Sequence, residues 1–354
     1  MNLASLLETW GDSTVLAMAG ALVGFIFGLA AQRTRFCARA AVIECCESQT
    51  GDRFSVWWLA FGAGLVGVQA LVLAGGLQPS NARYIAQPGS VSGAVLGGLF
   101  FGAGMILTRG CASRLLILSA NGNLRALLAG LVFAVTVQAS IAGWLAPARQ
   151  AMAAWWPMDG GPSRDVLHLS GIGPMGGLVL ALLALATGFY FFFKTHQRRW
   201  GLALGSIVTG LSIALGWGLT QAIASQSFEA VQIQSLSFSS ASAEMLMRVL
   251  SSASSPSVGF DAGLLPATFL GSLLGALVGG DFKFEGFKTE NKLGHYLVGA
   301  VLMGFGAVLA GGCTVGAGMT GGSVFSLTAW LTLIAIWLGA GMAWRIHRRM
   351  GWPI

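Results

Sequence analysis

Three thiols stand at the same place in three look-alike segments. Arg35-Phe36-Cys37, Arg109-Gly110-Cys111 and Gly311-Gly312-Cys313 each follow a glycine-rich apolar run. The residue nine places before each cysteine is glycine: Gly28, Gly102 and Gly304. Gly104 and Gly306 recur seven places before the second and third thiols. A neutral thiol is a weak, polarisable hydrogen-bond donor, whereas a thiolate is a nucleophile and a metal ligand. Repeating it at the end of a truncated apolar run suits a group that meets something passing through. Cys37, Cys111 and Cys313 are therefore the candidate substrate-path residues, and Gly110, Gly311 and Gly312 the candidate loop formers. Arg35 and Arg109, two residues before a thiol, are candidates for attracting an anion and lowering a thiol pKa. Arginine at an inner membrane edge is also ordinary topology signalling, so the two readings of this pair weigh equally. Cys45 and Cys46 lie in the polar stretch Glu44–Glu47, outside the glycine pattern, and read as packing residues.

Other chemistries are poorly served. Five cysteines without a CxxC spacing give neither a disulfide framework nor a zinc pattern. His168, His196, His295 and His347 fall in loops or at span ends, so no intramembrane haem or metal pair is expected. Asp281, Glu285 and Glu290 share one stretch with Lys283, Lys288 and Lys292 and read as a solvated loop. No carboxylate proton relay and no nucleotide motif is visible. No catalytic residue, metal or cofactor is assigned, and the chain reads as a non-enzyme.

Such thiols need a scaffold, and the composition names its class. Of 354 residues only 9% are charged, against about a quarter in soluble domains. The hydrophobic share is 55% and the mean hydropathy +0.73. The apolar residues come in long runs, as lipid demands. Rows such as Gly20/Gly24/Gly28 and Gly271/Gly275/Gly279 have the small-xxx-small spacing of close-packed membrane helices. The expected fold is an all-α polytopic membrane protein in contact with lipid. Nine spans are predicted, at 15–31, 54–75, 91–107, 126–146, 171–193, 201–221, 262–280, 296–310 and 323–343.

Charge then orients the chain. With the N-terminus outside, sixteen of the twenty Lys and Arg residues fall on the inner side. Only Arg83, Arg149, Arg164 and Arg248 fall outside. That asymmetry predicts an external N-terminus and a cytoplasmic C-terminus, and it accounts for the net charge of +7 without nucleic acid. No Lys or Arg precedes Arg33, so the first span is expected to be retained rather than cleaved as a signal peptide.

The spans leading to the three thiols are short on this reading, at 17, 17 and 15 residues. A straight crossing helix needs roughly 20. Broken helices with short re-entrant helices fit the shortfall. The sequence also repeats itself. Aligning Cys111 with Cys313 pairs Gly97, Gly102 and Gly104 with Gly299, Gly304 and Gly306. Four spans, a linking span and four more would leave the halves inverted, giving a single transport domain over 1–354. Its parts would be 1–150, the linker 171–193 and 201–354, related by a pseudo-twofold axis. The same offset carries Cys37 into the serine-rich stretch 235–242.

Gln32-Arg33-Thr34-Arg35-Phe36-Cys37, Arg109-Gly110-Cys111 and Gly311-Gly312-Cys313-Thr314-Val315-Gly316 together resemble the YeeE/YedE sulfur-transport family of bacterial inner-membrane proteins. The likeness covers nearly the whole chain in length, span number and cysteine placement. It implies an hourglass-shaped importer of thiosulfate or a related sulfur anion, passed along Cys37, Cys111 and Cys313 by hydrogen bonds. It also implies a separate cytoplasmic sulfurtransferase or sulfur carrier as partner. Thr34 departs from the glycine expected in the family's first loop. Two alternatives stay open: a membrane thiol–disulfide oxidoreductase, which would favour paired cysteines near one surface, and a transporter of another sulfur or selenium species.

Overall fold

The computed structural model describes residues 4–47, 51–195, 199–227, 229–250, 259–286 and 293–350. Sixteen α-helices are formed among them: α1 Ala4–Trp10, α2 Asp12–Arg33, α3 Ala38–Cys46, α4 Asp52–Leu73, α5 Arg83–Ala86, α6 Val91–Leu107, α7 Ala112–Ala120, α8 Leu124–Ala142, α9 Ala146–Ala153, α10 Val166–Ser170, α11 Gly173–Lys194, α12 Trp200–Ala224, α13 Phe238–Leu250, α14 Phe260–Gly279, α15 Leu293–Leu309 and α16 Leu327–Arg349. Nine segments of the described residues are long and apolar enough to cross a membrane. The protein is an all-α polytopic membrane protein with the predicted number of spans.

Three of the nine are composite: α2 with α3, α6 with α7, and α15 with a fully buried π-helical segment, Thr314–Gly321. Each is interrupted at a thiol. α6 and α15 stop after 17 residues, short of a straight crossing, as the sequence suggests. α2 differs. It runs for 22 residues, beginning at Asp12 in its first turn and ending at Arg33 in its last, charges placed to favour both helix ends. Its break comes after a full-length helix.

Glycine rows set the packing. A Cβ on Gly24 of α2 would enter the Leu264 carbonyl of α14 and come within 2.9 Å of Thr268 Oγ1. Gly20 and Gly28, one turn to either side, meet Phe260 and Thr268 in the same way. α6 and α15 touch reciprocally. A Cβ on Gly97 would lie 2.6 Å from the Gly306 carbonyl, and one on Gly306 at 2.6 Å from that of Gly97. Gly104 and Gly299 repeat the exchange at 2.5 and 2.8 Å. Removing every side chain from a crossing lets backbones meet where lipid gives no hydrophobic drive for association.

Exposed apolar side chains cover much of the remaining surface. α11 exposes Val179, Leu180, Leu182, Leu183, Tyr190 and Phe193, and it lies against α4. Trp144, Trp155 and Trp156 are exposed together in the connection between α8 and α10, as interfacial aromatics are. The stretch 281–286 is more ordered than a merely solvated loop. Asn123 Nδ2 donates to Glu285 Oε2 at 2.6 Å, and Lys283 N donates to the Asn121 carbonyl at 3.2 Å. Lys288, Glu290, Lys292, His196 and Arg198 lie outside the described residues.

Candidate thiol pathway

Each thiol sits on the residue immediately before a short helical segment. Cys37 is the N-cap of α3, Cys111 of α7 and Cys313 of the π-helical segment. A fourth short helix, α13, follows Ser237. Helix N-termini carry unpaired N–H groups and a positive partial charge, which together favour an anion. Cys313 Sγ accepts from Gly316 N at 3.4 Å, so one such donor is already engaged by a thiol. π-helical turns are rare and concentrate at functional sites.

The turn that precedes each thiol has one geometry. Arg35, Arg109 and Gly311, each two residues before a cysteine, adopt left-handed backbone with φ of 51°, 59° and 79°. Only the third is glycine, so the first two loops hold an arginine where L-residues pay roughly 1–2 kcal/mol. Gly311 meets the expectation of a loop-forming glycine. Gly312 does so through space, since a Cβ there would lie 2.6 Å from Ala317 N. Gly110 has no such need, because an added Cβ would meet Arg114 and Leu115 at ordinary contact distances of 3.5 Å. Thr34 costs little in place of glycine. It has right-handed φ of −85°, its hydroxyl donates to the Ala30 carbonyl at 2.8 Å, and its methyl occupies space left by Gly205.

The fold buries all three thiols. Cys111 and Cys313 have no exposed surface and Cys37 has 9%. Cys37 and Cys313 each lie within electrostatic range of Cys111. The Cys111 thiol also lies 3.4 Å from Ser113 Oγ. The Thr314 hydroxyl approaches Cys111, yet its buried oxygen completes no hydrogen bond of good geometry. Cys45 is exposed. Cys46 is half-buried beside an apolar groove lined by Trp57, Trp330 and Trp337.

The arginines that face the thiols are not the ones the motif singles out. Arg35 is exposed and pairs with Asp281 at 3.4 Å, while Arg109 stacks its guanidinium over Tyr296 at 5.7 Å. Arg114 and Arg39 point inward. Arg114 lies within electrostatic range of both Cys37 and Cys111, with a buried Nη1 that has no hydrogen-bond partner. Arg39 stands in range of Cys37, with Nε buried and unpartnered. The signal was present in the sequence, since both follow their thiol by two or three residues, in the first turn of a helix that begins there.

Beside the Cys313 loop a hollow of about 410 Å³ opens. Arg83, Arg149 and Arg164 line it, with Tyr84, Gly311 and Ala317 at its floor and no carboxylate. Arg164 is 5% exposed and donates to the Gln87 carbonyl and Thr328 Oγ1. A second hollow of about 370 Å³ on the other side of Arg83 contains Glu244 and Asp261. Among the described residues no cluster of three or more His, Cys, Asp or Glu side chains could hold a metal.

The chain is 26% identical over 343 residues to the thiosulfate transporter TsuA of Spirochaeta thermophila, covering 93% of this chain and 99% of that protein. It is 25% identical over 357 residues to the thiosulfate transporter TsuA of Escherichia coli K12, covering 94% and 96%. The sulphur transport family model matches residues 33–342, taking in all three thiol loops, and the chain belongs to that family.

Proposed function

We propose that the protein imports thiosulfate, or a closely related sulfur anion, across the bacterial inner membrane without chemical change to its cargo. The observation that carries the reading is that Cys37, Cys111 and Cys313 are all buried, each capping the short helix that follows a broken span. Thiosulfate is a dianion with a large, soft terminal sulfur. Neutral thiols match that sulfur but hold it weakly, and a conduit needs binding weak enough to release. Helix N-termini favour the anion at each thiol, and Arg114 and Arg39 add positive charge beside Cys37. The two named relatives are thiosulfate transporters across nearly their full length.

Direction follows from charge. The sixteen-to-four division of basic residues supports an external N-terminus and a cytoplasmic C-terminus. The hollow with Arg83, Arg149 and Arg164 then faces the periplasm and concentrates anions, while the neighbouring one, with its two carboxylates, does not. Cargo would meet Cys313 first, then Cys111 and Cys37, and leave past Arg39 and Arg114. A cytoplasmic sulfurtransferase or carrier would receive it on the basic inner face.

We read the chain as two inverted halves, 1–150 and 201–354, flanking the linking helix α11. Exchanging α2 with α12, α4 with α14, α6 with α15 and α8 with α16 turns the contact of α2 with α14 into that of α4 with α12. It also turns α6 with α16 into α8 with α15. The Gly97–Gly306 contact becomes the Gly104–Gly299 contact under the same exchange.

Purified protein in liposomes tests the reading. Labelled thiosulfate should accumulate in vesicles carrying it and not in protein-free ones, faster when a sulfurtransferase is sealed inside. An impermeant thiol reagent should fail to reach a cysteine introduced at position 350 in intact cells. Vesicles no more permeable than protein-free controls would refute transport, and rapid labelling at 350 would refute the orientation.

A further inference from the structure

The floor of the arginine-lined hollow is a tyrosine. Tyr84 sits on α5, a helix of one turn reached only through the connection between α4 and α6, and is 7% exposed. Its ring lies across the π-helical segment, where a Cβ on Gly321 would touch it at 3.0 Å. Its hydroxyl reaches the Cys313 loop itself. A Cβ on either Gly312 or Gly316 would meet that oxygen at 3.0 Å, so the loop leaves room for it by having no side chain at either place. Ser237 Oγ, on the residue before α13, is the adjacent polar group, yet the Tyr84 oxygen is buried without a well-formed hydrogen bond. The backbone is fixed nearby, with the Ser326 hydroxyl donating to the Tyr84 carbonyl at 2.9 Å.

An orphaned buried hydroxyl is costly unless something visits it. The ring lines the basic hollow, and the hydroxyl lies against Gly312 and Gly316 of the Cys313 loop. Burial pushes the phenol up to about 12, so it stays protonated and remains a donor. A thiosulfate ion carries three sulfonate oxygens, for which hydroxyl donors suit better than thiols, and one soft sulfur, for which thiols suit better.

We propose that Tyr84 closes the path above Cys313 and, as the anion arrives, donates its hydroxyl to a sulfonate oxygen while the terminal sulfur meets the Cys313 thiol. The ring is the gate and the hydroxyl is the oxygen-specific contact. This rests on the thiosulfate reading above. It adds a division of labour: hydroxyls at the mouth for oxygen, thiols beyond for sulfur.

Two variants separate the parts. Tyr84→Phe keeps the ring and its packing. Its apparent KM for thiosulfate uptake into proteoliposomes should rise roughly ten- to hundred-fold, the loss expected for one hydrogen bond to a charged group. Sulfate, added as a competitor, should lose inhibitory strength by a similar factor because it shares the oxygens. Tyr84→Ala removes the gate, and an impermeant thiol reagent added outside should then modify Cys313, located by mass spectrometry, much faster than in the wild-type protein or Tyr84→Phe. Both variants are first checked for a monodisperse elution profile; if Tyr84→Ala fails that check, Tyr84→Leu takes its place. A wild-type KM in Tyr84→Phe overturns the oxygen contact, and unchanged Cys313 labelling after ring removal overturns the gate. Were the wild-type protein itself inactive with thiosulfate, the functional reading would fall and this proposal with it, an outcome distinct from either variant result.

Discussion

Cys313→Ala, Cys111→Ala and Cys37→Ala are each expected to cut thiosulfate uptake by about a hundred-fold or more, while inserting and eluting like the wild-type protein. On the proposed route the thiols are consecutive stations, so losing any of them leaves the anion with a buried step that lacks its thiol donor. An unmet charge in such a place costs on the order of 3 kcal/mol, which is about the stated factor in rate. Truncating a small, fully enclosed side chain removes little packing, so the fold should survive. Serine should rescue poorly. Its hydroxyl donates more strongly but lacks the soft, polarisable match to a terminal sulfur, and its shorter bond to Cβ pulls the donor back from the path. Cys45→Ala and Cys46→Ala should be close to silent, because neither thiol lies on the proposed route. Full uptake by a triple Cys→Ser protein expressed at wild-type level would reduce the thiols to packing.

Gly24→Val is expected to have the largest effect on stability, with no folded protein recovered from the membrane. The added Cβ would enter the Leu264 carbonyl, and that carbonyl already accepts from Thr268 Oγ1 at 2.7 Å. Nothing flexible can yield. α2 would have to move away from α14 along a row that includes Gly20 and Gly28, at a cost above about 4 kcal/mol. Because α2 carries the turn that holds Cys37, any surviving protein should also be inactive. Gly130→Ala on α8 is the control, since its Cβ would meet nothing within 4 Å. There the exchange should be neutral or stabilising by up to about 1 kcal/mol, the helix propensity gained. Size-exclusion elution and thermal unfolding in detergent would separate the two, and a normal profile for Gly24→Val would contradict the crossing as described.

Much of this architecture is legible in the chain because lipid makes sequence unusually direct. A span must be apolar over its length, so the nine runs declare themselves, and α6 coincides with the predicted 91–107. The thiol loops are legible because a cysteine recurs nine places after a glycine at the end of each run. What escapes is direction and distance. Arg35 and Arg109 look like thiol neighbours by spacing, but their left-handed backbone turns them aside, to Asp281 and Tyr296. Arg39 and Arg114, unremarked in sequence, face inward because a new helix starts at the thiol. Tyr84 reaches the Cys313 loop from a connection more than two hundred residues earlier, a contact no local pattern records. The full length of α2 is a smaller miss with a simple cause: Gln32 and Arg33 are polar, so an apolar run ends before the helix does.

The most direct test uses thiosulfate labelled separately at its two sulfur atoms, supplied outside proteoliposomes containing only this protein. Passage of the intact anion delivers terminal and sulfonate labels to the interior at one rate, leaves no sulfite outside and adds no mass to any cysteine. That is the result predicted here. Terminal sulfur entering alone, with sulfite accumulating outside and a persulfide on Cys37, Cys111 or Cys313, would contradict it, since the thiols would then be cutting the sulfur–sulfur bond rather than handing the ion along.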